Sequence, residues 1–493
     1  MRQKKLANWR YDIKPIQQRP DTFAFLRLLE QICRDRAAPF FAADSDIWIA
    51  RAPGRLDVMG GIADYSGSLV LEMPLAEATF AALQRTPDTH LIVRSYQMQS
   101  AEFNDEVSIP MSELQQEASK VQQRLKQDPK TAWVAYVAGA IPILHQEKQI
   151  SFQGGARIFI WSRVPPGKGV SSSAALEVAS MQTIATAWDI PLSPREIAIF
   201  CQKVENYVVG APCGLMDQLT AVFGESNKLL PIICQPDICL PLVSIPEDIA
   251  FIGIDSGIAH SVEGADYGSV RIGAFMGYRI IADKLGLPWQ KHPSRTYLEV
   301  KDPHFHGYLA NVTPSRFERD FRDHLPEKIL GQDFLQQYIE TPDPVIRPQP
   351  DRTYAVRYPT KHPIYENHRT QIFLKLLNSY HHLPDETVLH LLGELMHQSH
   401  QSYSDCGLGS SRTDEIVARL QHFGSKHGVY GAKITGGGSG GTVAVLIRKN
   451  HGEETVKKIT QKYGQQHRFE PFLFMDSSPG ANAFGVIRLK AAT

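Results

Sequence analysis

The sequence predicts an α+β fold in two domains, and three observations bear on it. Short apolar strands and amphipathic helices intermix without the regular strand–helix–strand alternation of a parallel sheet. A strand at 157–161 runs through glycines into a strongly helical segment. A second glycine-rich segment, at 436–441, lies between two apolar runs near the C-terminal end. The 493 residues suffice for about two to four domains of ~150 residues each. A stretch rich in proline and short apolar runs at 229–248 places the boundary near 245, giving an N-terminal domain over 1–245 and a C-terminal domain over 246–493.

Taken in order, 22–34 reads as an amphipathic helix, followed by β-rich runs at 46–50, 68–72 and 91–95. Helical patterns fill 111–127 and 133–146. Ser193, Pro194 and Glu196 form a capping box with proline at the first helical position, which predicts a helix over 194–209. The stretch 285–361 is rich in Pro, His and charge, with weak periodicity, and reads as an excursion from the C-terminal domain. Helices return at 369–380, 385–400 and 412–423. Strands at 430–434 and 442–448, a helix at 453–464 and strands at 469–475 and 485–489 complete the chain.

Composition narrows the partners. Hydrophobic residues are 43% and charged residues 21%, as in an ordinary globular chain. The 52 basic side chains balance 52 acidic ones, so no global field favours nucleic acid or an anionic membrane. Six cysteines without C-x-x-C spacing support neither a zinc site nor a dithiol, and favour a reducing compartment. The basic, polar start has no apolar stretch behind it, and no run approaches the ~18 apolar residues of a membrane span. The expectation is a soluble cytoplasmic protein, a monomer or weak homodimer.

Three segments carry chemistry. Residues 164–177 (VPPGKGVSSSAALE) turn on Gly167 and Gly169, pass through Ser171, Ser172 and Ser173, and enter a helix. Backbone amides freed by the glycines and the positive end of the helix form a cradle for a triphosphate. This is not a Walker A loop, because no Lys-Ser/Thr closes a G-x(4)-G frame. A serine-capped helix after a glycine turn fits the same residues. Residues 51–65 (RAPGRLDVMGGIADY) hold Arg55, Asp57 and Asp64 among small residues. Aspartate suits vicinal hydroxyls and arginine suits phosphoryl charge, though a turn with surface ion pairs is the alternative. Residues 430–442 (YGAKITGGGSGGT) contain G-x-G-x-x-G, but a strand rather than a helix follows, which excludes a dinucleotide fingerprint. The glycine loop can still bring amides to a phosphate, and the apolar strands on both sides exclude a flexible linker.

Together these segments resemble the GHMP small-molecule kinases. The resemblance to their galactokinase branch extends to 201–205 with 210–218 (GAPCGLMDQ), to His260, Ser261, Asp266 and Tyr267, and to Trp133, Tyr136 and Gly139. It runs from about residue 48 to the end of the chain. It implies an N-terminal lobe like domain 2 of ribosomal protein S5, a ferredoxin-like α/β C-terminal lobe, and an active site in the cleft between them. It also implies ATP and Mg²⁺. Asp217 is then the base for an anomeric hydroxyl and Arg55 its partner, stabilising phosphoryl charge in flight. Ser173 and Glu205 are the Mg²⁺ ligands. Asp64 binds ring hydroxyls, with Gly214 and Tyr267 lining the sugar. Gly167, Lys168, Gly169, Val170, Ser171, Ser172, Ser173 and Ala174 wrap the phosphates, Trp133 neighbours the adenine, and Gly437 and Gly438 close over the site from the second lobe.

Where galactokinases carry Glu-His, this chain has Gly61 and Ile62. The galactokinases also lack the 285–361 excursion, and Val170 replaces their Leu or Met. Segments 58–67, 362–367 (HPIYEN) and 433–442 look like the L-arabinokinases, known from plants as the kinase half of a longer chain. The implied substrate is L-arabinose, which lacks the C6 hydroxymethyl of galactose. A retained Glu-His pair would be left desolvated with nothing to bond, whereas Gly61 removes that polarity and Ile62 fills the volume. The implied product is L-arabinose 1-phosphate. A galactokinase of relaxed specificity and a non-catalytic sensor of sugar and ATP are the alternatives. The histidine pairs at 397/400 and 304/306 read as core or solvated residues, since no further metal ligands accompany them.

Overall fold

The structure, a computed structural model, describes residues 4–6, 9–34, 39–96, 105–258, 265–292 and 297–491. His260 and Ser261 lie outside the described residues.

The first lobe is built on a mixed sheet whose centre is two long antiparallel strands, Ile47–Met59 and Leu69–Thr86. Both are longer than the sequence predicts. The expected strand over 46–50 stops before Pro53 and Gly54, but bulges at Pro53/Arg55 and Asp57/Met59 absorb them and the pairing continues. Gly155–Ser162 pairs with the outer half of Leu69–Thr86, and His90–Ser95 lies parallel beside it. Ser172–Ala187, Pro194–Lys203 and Met216–Phe223 cover one face, burying Val178, Ile184 and Leu219 against Ala81, Leu83 and Ile158. Helix Pro20–Arg34 covers the other face, with Phe25 stacked on Phe80 at 4.7 Å.

The second lobe is a four-stranded antiparallel sheet of Val429–Ile434, Thr442–Arg448, Ile249–Asp255 and Leu473–Phe474. Strand alternation divides its side chains between two cores. Phe251, Ala444 and Leu446 face helices Arg357–His382 and Glu386–Asp405, while Ile252, Val443 and Val445 face Ser411–Phe423 and His451–His467. The strand expected over 469–475 shrinks to Leu473–Phe474. The final strand, Val486–Ala491, leaves this lobe and pairs with Ile47–Met59, so the chain crosses the 245 boundary twice.

The described residues of the 285–361 excursion are packed. Phe305, Leu309, Phe317, Phe334 and Tyr354 close a core against helix Ala265–Lys284. Sequence reasoning missed that 20-residue helix, whose glycines and charges blur its periodicity.

Candidate active site

A cavity of about 790 Å³ lies where the lobes meet. Its walls include Arg55, Ile62, Asp64, Trp133, the turn from Pro165 to Ser173, Glu205, Gly214, Asp217, Tyr267, Gly436 and Gly437. Residues separated by hundreds of positions therefore meet in one place.

Arg55 and Asp217 form its floor. Asp217 stands in the first turn of helix Met216–Phe223. The Nε of Arg55 donates to Asp217 Oδ1 at 2.9 Å and Nη2 donates to Oδ2 at 3.1 Å. Such a two-pronged pair fixes both planes. A third donor, Nη1, reaches the Gly169 carbonyl at 2.7 Å and ties the pair to the glycine turn. The Arg55 side chain is 4% exposed and that of Asp217 21%, so both border the cavity and the carboxylate is the more open of the two. Burial works against the guanidinium charge, but Asp217, Glu72 and Asp57 outweigh it and raise the Arg55 pKa. Glu72 lies 3.2 Å from Arg55 Nε and is wholly buried. It was missed from sequence, although a lone glutamate in the apolar run 69–75 was the available signal.

Asp64 sits on the short turn Gly61–Ser66. Its Oδ1 accepts from the Tyr65 amide at 2.6 Å. Burial first, then the charge of Asp217, push its carboxyl up to about 7. Gly214 is glycine for a steric reason: a Cβ there would fall on the Asp64 carboxylate. Tyr267 closes this end, edge-on to Tyr65 at 6.1 Å.

The turn at Gly167–Gly169 and the start of helix Ser172–Ala187 form another part of the wall. Ser171 precedes the 16-residue helix in a left-handed conformation, φ 57°, that few non-glycine residues adopt. Its buried hydroxyl has no hydrogen-bond partner among the described residues. A strained serine with a spare hydroxyl at a helix N-terminus fits an anion. Ser173, in the first turn of that helix, donates to Glu205. The expected helix over 194–209 is α-helical only to Lys203 and then widens into a π-turn, Val204–Val209, which carries Glu205 inward. Burial and then Asp217 push the Glu205 carboxyl up to about 7, against hydrogen bonds from Ser173, Cys213 and Gln218. A carboxylate and a hydroxyl held together are hard oxygen donors, which fits Mg²⁺.

Five expected site residues stand behind the wall. Gly61 packs away from the cavity: a Cβ there would collide with the Tyr403 hydroxyl and come within 2.7 Å of Asp57 Oδ2. Only Ile62 of that pair borders the space. Lys168 turns toward Asp255, 3.0 Å away. Val170 and Ala174 are buried, and the Val170 carbonyl accepts from the Arg55 amide at 3.0 Å. Gly438 lies against Leu408, and Gly436 and Gly437 form the wall instead. Tyr403, which sequence reasoning did not select, joins the two loops. Its hydroxyl accepts from the Ile62 amide and donates to the Gly436 carbonyl, both at 3.0 Å.

Similarity to known proteins points the same way. Family models described as GHMP kinases N terminal domain, GHMP kinases C terminal and galactokinase galactose-binding signature match residues 135–225, 385–465 and 39–85. An L-arabinokinase of Arabidopsis thaliana is 42% identical over 93% of this chain and 48% of its own length, so this chain spans about half of that relative. A galactokinase of Chloroflexus aurantiacus is 30% identical over 84% of this chain and 87% of its own. Lactococcus lactis galactokinase, solved with galactose, shares the fold with a TM-score of 0.71 at 18% identity, covering 93% of this chain and 99% of that one. With the family's domains in order and a galactokinase matched along most of its length, the chain belongs to the GHMP kinase family.

Proposed function

We propose that this chain transfers the terminal phosphoryl group of ATP to the anomeric hydroxyl of L-arabinose, giving L-arabinose 1-phosphate and ADP, in the cytoplasm. The observation that carries this is the Arg55–Asp217 pair lining one cavity together with Asp64 and the glycine turn that leads into helix Ser172–Ala187. A sugar held by Asp64 and Tyr267 turns its reducing end toward Asp217. The Asp217 carboxylate takes the anomeric proton as the sugar oxygen forms its bond to phosphorus and the bond to the ADP oxygen breaks. Arg55 stays charged throughout and offers its guanidinium to the phosphoryl oxygens. The amides of the Gly167–Gly169 turn, Ser171 and the helix end hold the remaining phosphates, with Trp133 beside the base. Ser173 and Glu205 would hold Mg²⁺, which neutralises phosphate charge when bound.

The choice of sugar rests on Ile62 and on the relative named L-arabinokinase. An apolar side chain beside Asp64 suits a pentose without a C6 hydroxyl, and would leave that hydroxyl of galactose unpaired. The galactose-binding signature at 39–85 favours a second candidate, a galactokinase of relaxed specificity. Coupled ADP release with a panel of sugars separates the two. L-Arabinose turning over well above galactose is the expected result. Galactose as the better substrate establishes the second, and binding of sugar and ATP without turnover refutes both.

A further inference from the structure

Arg271 lies behind the sugar end of the cavity, one helical turn after Tyr267. Its Nε and Nη2 donate to the two carboxylate oxygens of Asp343 at 2.7 and 2.8 Å. The side chains are 5% and 0% exposed, so water has no part in the pair. The guanidinium carbon sits 5.5 Å from the Tyr65 ring centre, and Nη1 stands 3.5 Å from the Cys213 carbonyl. Arg271 thus bears on the backbone just before Gly214, the residue against which the Asp64 carboxylate lies. Its charge also opposes the burial that pushes the Asp64 carboxyl up.

Asp343 belongs to the 285–361 excursion, and a second contact from the same region reaches the same turn. The Tyr308 ring occupies the space a Cβ at Gly67 would need, and Asn311 accepts from Gln235, whose Nε2 also donates to the Gly67 carbonyl at 2.7 Å. The excursion therefore grips the Gly61–Ser66 turn and the Cys213–Gly214 backbone from outside.

We propose that Arg271, anchored by Asp343, is a positioning residue of the sugar pocket, and that the excursion sets the placement of Asp64 and Gly214 through this buried pair. This rests on the sugar pocket assigned above. In ordinary terms, the pair is scaffolding for one substrate and not for the other, because nothing in it reaches the phosphate loop.

The test uses the full chain with Arg271→Met and Asp343→Leu together, which removes both buried charges and strands neither. The expected result is a sugar KM raised ~10-fold or more with the ATP KM within about twofold of the parent. Asp343→Asn, which keeps the volume, is a second variant and should give the same split at smaller size. An unchanged sugar KM, or sugar and ATP KM values rising together, overturns the proposal. The parent's own sugar preference tests the functional assignment separately. If the parent phosphorylates a sugar other than L-arabinose, that assignment fails, and the variant-to-parent ratio on the sugar it does use still decides this one.

Discussion

Lys433 Nζ lies 2.6 Å from Asp57 Oδ2, and neither side chain is exposed to any degree. The pair joins the strand that leads into the glycine loop of one lobe to the strand that carries Arg55 in the other. Thr435 reinforces it, accepting from the Asp57 amide at 2.9 Å and donating to the Asp57 carbonyl at 3.0 Å. The lobes are thus fastened two residues along the strand from Arg55. A buried ion pair contributes little net stability over an apolar replacement, but breaking one leaves an uncompensated charge.

Lys433→Met should therefore destabilise the protein by about 3–5 kcal/mol. The Gly61 amide, 3.0 Å from Asp57 Oδ1, would be left to satisfy the carboxylate in place of the lost cation. Urea denaturation at matched protein concentration measures this. A loss under about 1 kcal/mol would show that the site relaxes or hydrates without the lysine.

Asp217→Ala should lower turnover by about 10²–10⁴-fold, the usual contribution of a positioned base. ATP binding, measured by calorimetry, should stay close to that of the parent, since the contact from this pair to the glycine turn is made by Arg55 Nη1 on the Gly169 carbonyl and not by Asp217. A variant with near-normal rate would remove Asp217 from the mechanism.

Asp64 gives a pH signature. Its carboxyl is pushed up to about 7 by burial and the charge of Asp217. Below that value it is neutral and has lost acceptor capacity toward ring hydroxyls; above it, the full carboxylate is present. kcat/KM for the sugar should rise between about pH 6 and pH 8, because this parameter reports groups of the free enzyme. Asp64→Asn should remove that component, leaving only the slope from Glu205, whose carboxyl lies in the same range. An unchanged profile in the variant would dissociate Asp64 from sugar binding.

Ile62→Ala tests the choice of sugar. Opening this wall should raise the ratio of galactose to L-arabinose kcat/KM by roughly 10-fold, the scale of a change in apolar pocket volume. Restoring the Glu-His pair of galactokinases is the poorer experiment, because a side chain at Gly61 runs into Tyr403. A ratio that does not move would mean that Ile62 packs the loop without reading the sugar.

Much of this was legible along the chain because it is local. The capping box at Ser193 is present as predicted, with the Ser193 hydroxyl accepting from the Glu196 amide. The strand, glycine turn and serine-led helix over 155–187 follow from short-range propensity. Where sequence reasoning stopped short, the determining contact was distant. Pro53 and Gly54 end a strand by propensity, but cross-strand pairing carries it to Met59 through a bulge. Gly61 looked like part of the sugar wall until the fold brought Tyr403 against it from 342 positions away.

Read alone, the chain supplies the chemistry on offer: a glycine turn suited to phosphate, an arginine and two aspartates among small residues, and the order of segments that marks the family. Which of these groups meet was decided by the tertiary structure. It set Arg55 against Asp217 across 162 residues, turned Lys168 away to Asp255, and bound the excursion to the pocket through Asp343. The physical reason is that burial and charge compensation act through space. A carboxylate's role depends on which cation and how much water lie within a few ångströms, and neither is written in its sequence neighbours.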